Sequence, residues 1–341
     1  MIVALVLLVL LGISVLANLG HLLSGLVPMK VAGANSVGPR LEEVTSEDNG
    51  ASSKIAVIEV NGIIMSRALD QGGYNMVDVI KAQLKRAAED DKVKAVLLKV
   101  DSPGGEVLAA DEISRAIAEF QAAPRGKPVV CSMGGLAASG GYYVSAPCRW
   151  IVANDLTITG SIGVIMSSWN YRGLMDKVGV RPQTFKSGKY KDMLSGSRDP
   201  ESITPEERQM VQSLIDETYG KFKSVVAAGR KRAQEKNRDK GRALSEDWAD
   251  YADGRILSGT EAFKLGFVDE LGTFDDAVKR AKSIAGIPRA NLIEYQQRFD
   301  ISDLFRLFGK SDSKAIKVDL GMEIPKLQAG QLYFLSPTFL H

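Results

Sequence analysis

The chain has 341 residues, of which 45% are hydrophobic and 25% charged, and its formal net charge is +2. This composition excludes a disordered chain and is sufficient for one large hydrophobic core or two smaller ones. A charge this close to zero creates no field that would attract nucleic acid, and the locally basic stretch 221–242 has no aromatic residue after position 230 for base stacking, so we expect no nucleic-acid partner.

The first 27 residues form an apolar segment that contains no Asp, Glu, Lys or Arg. As a helix it is long enough to cross a hydrocarbon core of about 30 Å. A cleaved signal peptide is the alternative, because residues 32–34 (Ala-Gly-Ala) resemble a cleavage site, but the run exceeds the usual apolar region of roughly 7 to 15 residues. We therefore expect residues 1–27 to be an uncleaved transmembrane anchor in contact with membrane lipid.

Residues 28–53 are polar and rich in Gly and Ser, which predicts a flexible tether. After it, short β-branched runs alternate with segments of helical spacing, and this alternation indicates an α/β fold in which helices cover a sheet. The predicted strands are residues 54–60, 93–100, 128–132 and 150–153, and the predicted helices are residues 77–90, 106–120 and 137–145.

Glycine-rich turns follow two of the predicted strands. Residues 101–105 (Asp-Ser-Pro-Gly-Gly) come directly after one strand, and residues 133–135 (Met-Gly-Gly) come directly after another. Ligands bind at the carboxyl ends of strands in open α/β sheets, and glycine lets backbone N–H groups approach a ligand closely. Taken alone, residues 101–105 indicate an ordinary Pro-Gly turn. Together with the second glycine-rich turn, they predict a ligand-binding site.

Ser139 lies in a small-residue turn at the start of an apolar run, and the only histidines of the chain are His21 and His341. A serine nucleophile must transfer its proton to a base, which is usually histidine. Neither histidine is well placed, because one lies in the N-terminal apolar segment and the other is the last residue. Lysine is the known substitute in Ser-Lys pairs, and Lys191 in residues 187–192 (Ser-Gly-Lys-Tyr-Lys-Asp) is the candidate.

A lysine base must be neutral, whereas the ordinary lysine pKa of about 10.4 keeps it protonated at neutral pH unless burial disfavours the charge. The neighbouring carboxylate of Asp192 would favour the charged form, so we expect Asp192 to point away from Lys191.

A third glycine-containing segment, residues 159–164 (Thr-Gly-Ser-Ile-Gly-Val), indicates by its pattern only a turn that enters a strand. Residues 205–228 predict a long amphipathic helix for core or subunit packing, with Val211, Leu214, Ile215, Phe222 and Val225 on its apolar face.

The two cysteines, Cys131 and Cys148, match no metal motif, and we expect two buried thiols; a disulfide is the alternative outside the cytoplasm. We expect neither metal nor cofactor. The apolar tail 327–340 is predicted to pack on its own domain, with docking in a neighbouring subunit as the alternative.

Taken in order, six motifs resemble those of the signal peptide peptidase A family, and the resemblance covers residues 54–288. They are residues 101–105, 138–143 (Ala-Ser-Gly-Gly-Tyr-Tyr), 159–164, 188–192 (Gly-Lys-Tyr-Lys-Asp), 254–259 (Gly-Arg-Ile-Leu-Ser-Gly) and 266–272 (Gly-Phe-Val-Asp-Glu-Leu-Gly).

The resemblance implies a ClpP/crotonase-like α/β fold, a membrane anchor and an extracytoplasmic catalytic domain, here residues 54–288 followed by a C-terminal extension over 289–341. It also implies an endopeptidase that degrades remnant signal peptides and other apolar peptides, assembled as a ring-like homo-oligomer, since the motifs occur once. For the active site, the resemblance implies that Ser139 is the nucleophile, that Lys191 is the general base and that the Ser161 hydroxyl orients the lysine. Gly104 or Gly105, together with Gly140, supplies the oxyanion N–H groups.

Two other functions are compatible with such a sheet. A crotonase-type acyl-CoA hydratase or isomerase would use the same oxyanion site, but it needs a pair of placed carboxylates, which is not evident near the glycine turns. A non-catalytic membrane scaffold is the other alternative, and the intact Ser139 and Lys191 weigh against it.

Overall fold

A largely parallel sheet flanked by helices forms the framework of the protein. The computed structural model describes residues 38–67, 74–238, 240–297 and 332–335. The expected anchor, residues 1–27, lies outside these ranges. Among the helices in these ranges, none combines the length and the apolar character that crossing a membrane requires.

The strands in chain order are β1 (Leu41–Glu47), β2 (Lys54–Asn61), β3 (Val93–Ser102), β4 (Gly104–Glu106), β5 (Val129–Ala137), β6 (Trp150–Ala153), β7 (Ile158–Gly160), β8 (Ile256–Ser258), β9 (Glu270–Leu271), β10 (Asn291–Gln297) and β11 (Tyr333–Leu335). The α-helices are α1 (Met76–Glu89), α2 (Val107–Ala122), α3 (Gly140–Ser145), α4 (Arg172–Lys177), α5 (Pro205–Lys236), α6 (Gly259–Lys264) and α7 (Phe274–Ala285).

The main sheet has the strand order β1-β10-β2-β3-β5-β6-β9. The pairs from β10 to β9 are parallel, and only the edge pair β1–β10 is antiparallel within this path. β7 pairs with the end of β5 and with β8, and β4 pairs with β11 in a separate two-stranded ribbon. The carboxyl ends of β3 and β5 therefore lie side by side, with β4 and β7 directly beyond them.

Helices cover both faces of the sheet, so its central strands are apolar on both sides. Along β2, Ala56, Ile58 and Val60 belong to one core cluster, whereas Ile55 and Val57 belong to the other. The first cluster includes residues of α1, α2 and α3, and the second includes residues of α7. This packing explains why the strands read as continuous hydrophobic runs in the sequence.

The sheet extends beyond both limits expected for the folded domain. Residues 41–47 fall within the expected tether but form β1, and β10 falls within the expected C-terminal extension and lies between β1 and β2. Residues 41–47 are mostly polar because β1 is an edge strand that is largely exposed. Its partner is about 250 positions away in sequence, so no local pattern could predict the pairing.

The boundary between the predicted strand 128–132 and the predicted helix 137–145 was wrong. β5 continues to Ala137, and α3 begins only at Gly140. A register shift after Val100 allows Ser102 of β3 to pair with Ala137. The Leu136 N–H donates to the Asp101 carboxylate (3.1 Å). The small residues of this segment fit a strand or a helix, and tertiary pairing decides between them.

The long helix was predicted correctly in place but is longer than expected, and its apolar face is only partly covered. Thr204 and Glu207 form a capping box at the start of α5, which stabilises that terminus. Phe222 is fully buried, whereas Leu214 is 45% exposed. The first half of the helix therefore presents apolar side chains that the described part of the chain does not cover.

Cys131 and Cys148 are buried free thiols.

Candidate active site

Ser139 lies at the junction between β5 and α3, where it is the N-terminal capping residue of the helix. Its φ of 54° and ψ of −117° are rare for a residue with a side chain and cost of order 1–3 kcal/mol. The Ser139 N–H donates to the Gly160 carbonyl (2.8 Å), and its carbonyl accepts from the Tyr143 N–H (2.8 Å). The neighbouring backbone therefore holds Ser139 in a strained conformation.

The side chain of Ser139 is almost completely buried, at 1% exposure. Its Oγ has no hydrogen-bond partner among the described residues. An unsatisfied buried hydroxyl costs about 1–3 kcal/mol. For a serine with a purely structural role, both the unsatisfied hydroxyl and the strained backbone would be unfavourable without any benefit. Both features are expected of a nucleophile, whose hydroxyl reacts when a substrate binds.

Three glycines converge next to this hydroxyl. A Cβ placed on Gly140 would lie 3.0 Å from the Gly104 Cα and 3.1 Å from the Gly105 nitrogen. Gly104 has a φ of 103°, and a Cβ there would lie 2.6 Å from the Gly140 nitrogen. Only glycine permits this approach. The tertiary structure thus brings the turn after β3 together with Gly140 at the start of α3. The expected second glycine turn, residues 133–135, lies inside β5 instead.

The N–H groups of Gly104 and Gly105 have different partners. The Gly104 N–H donates to the Ser102 Oγ (3.1 Å), and the Ser102 hydroxyl in turn donates to the Gly62 carbonyl (2.6 Å). The Gly104 carbonyl accepts from the Ile64 N–H (2.9 Å). Because these groups face one side of β4, the Gly105 N–H faces the other side, toward Gly140 and β11.

β11 lies directly against these glycines. Phe334 is paired with Gly105 in antiparallel register. The Val107 N–H donates to the Leu332 carbonyl (3.4 Å), and hydrogen-bonded pairs recur every second residue. The Gly105 N–H therefore faces the Phe334 carbonyl. That oxygen would lie 1.9 Å from a Cβ on Gly104 and 3.1 Å from a Cβ on Gly140.

β11 also bonds to a second backbone edge. The Ile165 N–H donates to the Tyr333 carbonyl (3.2 Å), and the Tyr333 N–H donates to the Ile165 carbonyl (3.1 Å). Residues 333–335 are therefore held as an extended strand between β4 and residue 165. Of the predicted tail 327–340, the structure describes residues 332–335, and these pack on their own domain; the rest of the tail lies outside the described residues.

The Phe334 ring fills an aromatic pocket. It stacks on Tyr143 (centroids 4.8 Å apart) and contacts Phe222 of α5 (4.6 Å). The Tyr143 hydroxyl donates to the Asp111 Oδ1 (2.7 Å). Burial and this bond to the Asp111 carboxylate raise the pKa of Tyr143, so the phenol stays neutral and fixed as one wall of the pocket.

Ser161 directly follows β7, which ends at Gly160, in the segment that was expected to be a turn entering a strand. It has a φ of 51° and is 3% exposed. Its N–H donates to the Arg255 carbonyl (2.7 Å), and the preceding Gly160 carbonyl accepts from the Ser139 N–H. Ser161 is thus held beside the Ser139 backbone.

The Arg255 guanidinium lowers the pKa of Asp253 to about 2.

Lys191 does not form a hydrogen bond with the Ser139 hydroxyl in this structure. It lies exposed in a turn, and none of the residues that the structure describes is a hydrogen-bond partner of the Ser139 hydroxyl. Asp192 is engaged by Lys186 (2.6 Å) and by Arg198 (3.5 Å), as expected for a carboxylate that points away from Lys191. The Lys186 ammonium, through a hydrogen bond, lowers the pKa of Asp192. Arg198 also pairs with Glu207 (2.6 Å), which ties this loop to α5.

Sequence reasoning missed three contributions to the site. Ser102 was seen only as part of a turn, although its hydroxyl orients β4. Phe222 was seen only as an apolar helix position. The aromatic residues of the tail were noted, but nothing local linked Phe334 to β4, which lies more than 200 positions earlier.

A strained serine hydroxyl without a partner, beside two backbone N–H groups and a peptide strand, can attack a carbonyl carbon and stabilise the resulting oxyanion. These are the parts of a serine-type acyl-transfer enzyme. No group of His, Cys, Asp and Glu side chains that could hold a metal occurs in the described ranges.

Comparison with known proteins gives the family. The model of peptidase family S49 matches residues 121–287. A protein of Synechocystis sp. that is predicted to be a protease is 42% identical over 69% of this chain and 75% of its own length. A protein of Enterococcus faecium predicted to be signal peptide peptidase SppA is 38% identical over 75% of this chain and 71% of its own length.

The chain belongs to peptidase family S49 and is by family a serine peptidase. The resemblance to signal peptide peptidase A is confirmed. A ClpP1 mutant from Listeria monocytogenes aligns with 65% of this chain and 94% of its own, at 16% identity and a TM-score of 0.37. A score this low says nothing about the fold.

Proposed function

We propose that the protein is a membrane-anchored serine endopeptidase that uses a Ser139–Lys191 dyad. The observation that carries this proposal is the buried hydroxyl of Ser139, which has no hydrogen-bond partner in the described part of the chain and lies on a strained backbone next to Gly105 and Gly140. In the proposed mechanism the Ser139 Oγ attacks the substrate carbonyl and passes its proton to the Lys191 Nζ. The resulting Lys191 ammonium group then protonates the leaving nitrogen, and water hydrolyses the acyl-enzyme to release the acid and the free Ser139 hydroxyl.

Gly105 and Gly140 are the better pair of oxyanion donors. The Gly104 N–H is occupied by the Ser102 hydroxyl, whereas the Gly105 N–H faces the opposite side of β4, toward Gly140 and the Phe334 carbonyl. Gly104 contributes instead through its positive φ and its missing side chain, which let the two donors approach. Such preorganised N–H donors are each worth about 10²–10³ in kcat.

Lys191 is proposed to come from a second copy of the chain. A lysine base works when apolar surroundings disfavour its charge, but Lys191 is exposed in the single chain. Large apolar side chains in the segment that carries it are also exposed, among them Trp169 (81%) and Phe185 (93%). A neighbouring subunit would cover both, which favours the ring-like homo-oligomer. Ser161, held beside Ser139, would then orient the incoming amine.

The substrate class is proposed from the site and the N-terminal segment together. The pocket beside Ser139 is aromatic, and residues 1–27 are apolar enough to hold the enzyme at a membrane. An apolar peptide left in the bilayer, such as a signal peptide remnant, fits both features. The catalytic domain would lie on the extracytoplasmic side in a ClpP/crotonase-like fold, with residues 54–288 as its centre.

The test compares hydrolysis of an apolar, signal-like peptide by the full chain with hydrolysis by Ser139→Ala and Lys191→Ala. We expect both variants to lose turnover while their circular dichroism stays unchanged. A serine-directed acylating probe should label Ser139 and no other serine. Turnover of acyl-CoA thioesters with no peptide hydrolysis would instead support the crotonase-type alternative, and absence of either activity would support a scaffold.

A further inference from the structure

The segment that carries Lys191 has no hydrophobic core of its own. Residues 163–206 are all described by the structure, and none of them is buried. The nearest buried residues on either side are Ile162 and Glu207. Because the burial of apolar surface is the usual force that fixes a segment on a domain, this segment depends more than others on its polar contacts. Those contacts therefore determine where the proposed base lies.

A chain of ion pairs connects the Lys191 turn with helix α5. The Asp192 Oδ1 contacts the Lys186 Nζ (2.6 Å) and the Arg198 Nη1 (3.5 Å). The Arg198 guanidinium donates two hydrogen bonds to the Glu207 carboxylate (2.6 and 3.3 Å). This contact is bidentate, the geometry in which a planar guanidinium binds a carboxylate most strongly. We call the link Asp192–Arg198–Glu207 the Arg198 bridge.

The Glu207 end of the Arg198 bridge is fixed. Glu207 belongs to the capping box of α5, in which its carboxylate accepts from the Thr204 N–H (2.8 Å) and its own N–H donates to the Thr204 hydroxyl (3.3 Å). Its side chain is only 3% exposed, and the hydrogen bond from Arg198 lowers the pKa of Glu207. A carboxylate buried in this way is costly without a cation beside it. The bridge therefore starts from a rigid helix terminus.

The Asp192 end of the bridge reaches the turn itself. The Asp192 carbonyl accepts from the Ser195 N–H (3.0 Å), and the Lys191 N–H donates to the Gly188 carbonyl (3.4 Å). Asp192 is the residue next to Lys191, and its side chain is 14% exposed. A shift of this carboxylate would move the lysine backbone with it. The bridge thus transmits the position of a capped helix to the proposed base.

We propose that Arg198 is a positioning residue, which holds the turn that presents Lys191 on the first turn of α5. The inference rests on the proposed function and adds to it the residue that places the base. Arg198 acts on the chemical step only through Lys191 and does not touch the substrate. A displacement of a catalytic group by about 1 Å can lower the rate by about 10²-fold, so a loosened turn should be visible in kcat.

Arg198→Gln in the full chain tests this proposal, because it keeps a polar side chain but removes the charge and the bidentate contact. We expect kcat for an apolar peptide to fall by about 10²-fold. KM should stay within about twofold, since no substrate contact is lost. Arg172→Gln is the matched control. It removes the Arg172–Asp176 pair (2.9 Å), which lies within the short helix α4 of the same segment, and should leave kcat unchanged.

Chemical rescue separates positioning from a folding defect. Arg198→Ala should regain part of its lost kcat when millimolar guanidinium ion is added, because this ion can bind between the two carboxylates in place of the missing side chain. Sodium chloride at the same concentration should not restore kcat. Circular dichroism and light scattering follow folding and oligomer mass. A loss of kcat that accompanies a loss of oligomer mass, and that guanidinium does not restore, would overturn the inference.

Glu207→Gln breaks the other end of the Arg198 bridge and keeps the capping box, which accepts Gln as well as Glu. It should lower kcat in the same way as Arg198→Gln. The double variant should be no worse than either single variant, because both changes break the same link. Losses of kcat that multiply in the double variant would contradict a shared link.

Hydrogen exchange followed by mass spectrometry keeps the inference separate from the proposed function. The amides of residues 186–196 should exchange faster in Arg198→Gln than in the unchanged chain or in Arg172→Gln. Unchanged exchange would overturn the inference even if the enzyme hydrolyses peptides and requires Lys191. Faster exchange in a protein that hydrolyses no peptide would support the Arg198 bridge while contradicting the proposed endopeptidase.

Discussion

The two halves of the proposed dyad lie in regions of opposite character. Around Ser139 the backbone is buried and bonded, and the serine itself is 1% exposed. The segment that carries Lys191 consists of turns and the short helix α4, and large apolar side chains in it are exposed to solvent, including Leu174 (64%) and Val178 (66%). The region around Ser139 is fully packed within one chain, whereas the exposed apolar side chains around Lys191 resemble one side of a subunit interface.

This difference indicates which catalytic groups a single chain can hold in place before the substrate binds. A nucleophile and its oxyanion donors can be fixed by one chain, because short turns at the ends of adjacent strands bring them together. A lysine base needs a dry environment, and the exposed segment of this chain does not provide one. We therefore expect variants near Ser139 to act on each chain independently, and variants near Lys191 to act through assembly.

The largest effect should come from removing the nucleophile. Ser139→Ala should reduce kcat for peptide hydrolysis by about 10³-fold or more, because no other group can form the acyl-enzyme. Initial rates with an apolar peptide measure this. Substantial turnover by the variant would remove Ser139 from the mechanism, and a matched Ser102→Ala variant should retain the acylation of Ser139 by a serine-directed probe.

Mixing two inactive variants tests whether the dyad spans two copies. Lys191→Ala should be as inactive as Ser139→Ala. If Ser139 of one copy uses Lys191 of the next, a reassembled equimolar mixture should regain about a quarter of the unchanged activity, since one in four random neighbour pairs has both groups. A mixture that stays inactive, although both variants exchange subunits, would place both groups in the same chain.

Gly104→Ala should disturb the serine region alone. The added methyl group would meet the Phe334 carbonyl at 1.9 Å and the Gly140 nitrogen at 2.6 Å, and the φ of 103° would be strained. We expect a loss of about 10²-fold in kcat, comparable to the loss of one oxyanion donor, with unchanged oligomer mass in light scattering. Full activity would show that the close approach of the two turns is unnecessary.

Phe185→Asp should disturb the lysine region alone. This side chain is 93% exposed, so the change leaves the fold of the single chain intact but places a charge in the proposed interface. We expect a smaller oligomer in light scattering and a proportional loss of activity. Leu156→Asp, which changes a residue that is 82% exposed outside this segment, is the control. Equal effects of both variants would argue against an interface at Phe185.

The smallest effect concerns the support of Ser161 by the Asp253–Arg255 pair. The pKa of Asp253 is lowered to about 2, below the unfolded value of about 3.9. Its contribution to stability is therefore complete above about pH 4 and lost as the pH falls toward 2. Both side chains are about half exposed, so solvent screens the pair and the effect is small. Urea midpoints should fall less for Asp253→Asn than for the unchanged chain between pH 5 and pH 2.5. Equal decreases of the urea midpoint in Asp253→Asn and in the unchanged chain would contradict a stabilising role of the Asp253–Arg255 pair.

Sequence reasoning predicted most of the framework, because the signal is local. The run 93–100 is apolar at nearly every position, and residues 77–90 have helical spacing, so β3 and α1 followed directly. It failed where the partner is distant, as at β1, or where small residues are neutral, as at the start of α3. The motif positions of Ser139 and Ser161 were visible, but the positive φ that both share depends on the backbone that surrounds them.

By itself, the sequence determined the α/β class, the family and the candidate dyad, since each depends on residue types at short spacing. Only the tertiary structure decided that the turn after β3 meets Gly140, that the N–H of Gly105 rather than that of Gly104 faces Gly140 and β11, and that Phe334 lies in the site while Lys191 stays exposed. These outcomes depend on pairings between positions hundreds of residues apart, such as β4 with β11. Pairing of this kind is a property of the folded sheet and leaves no mark on local composition.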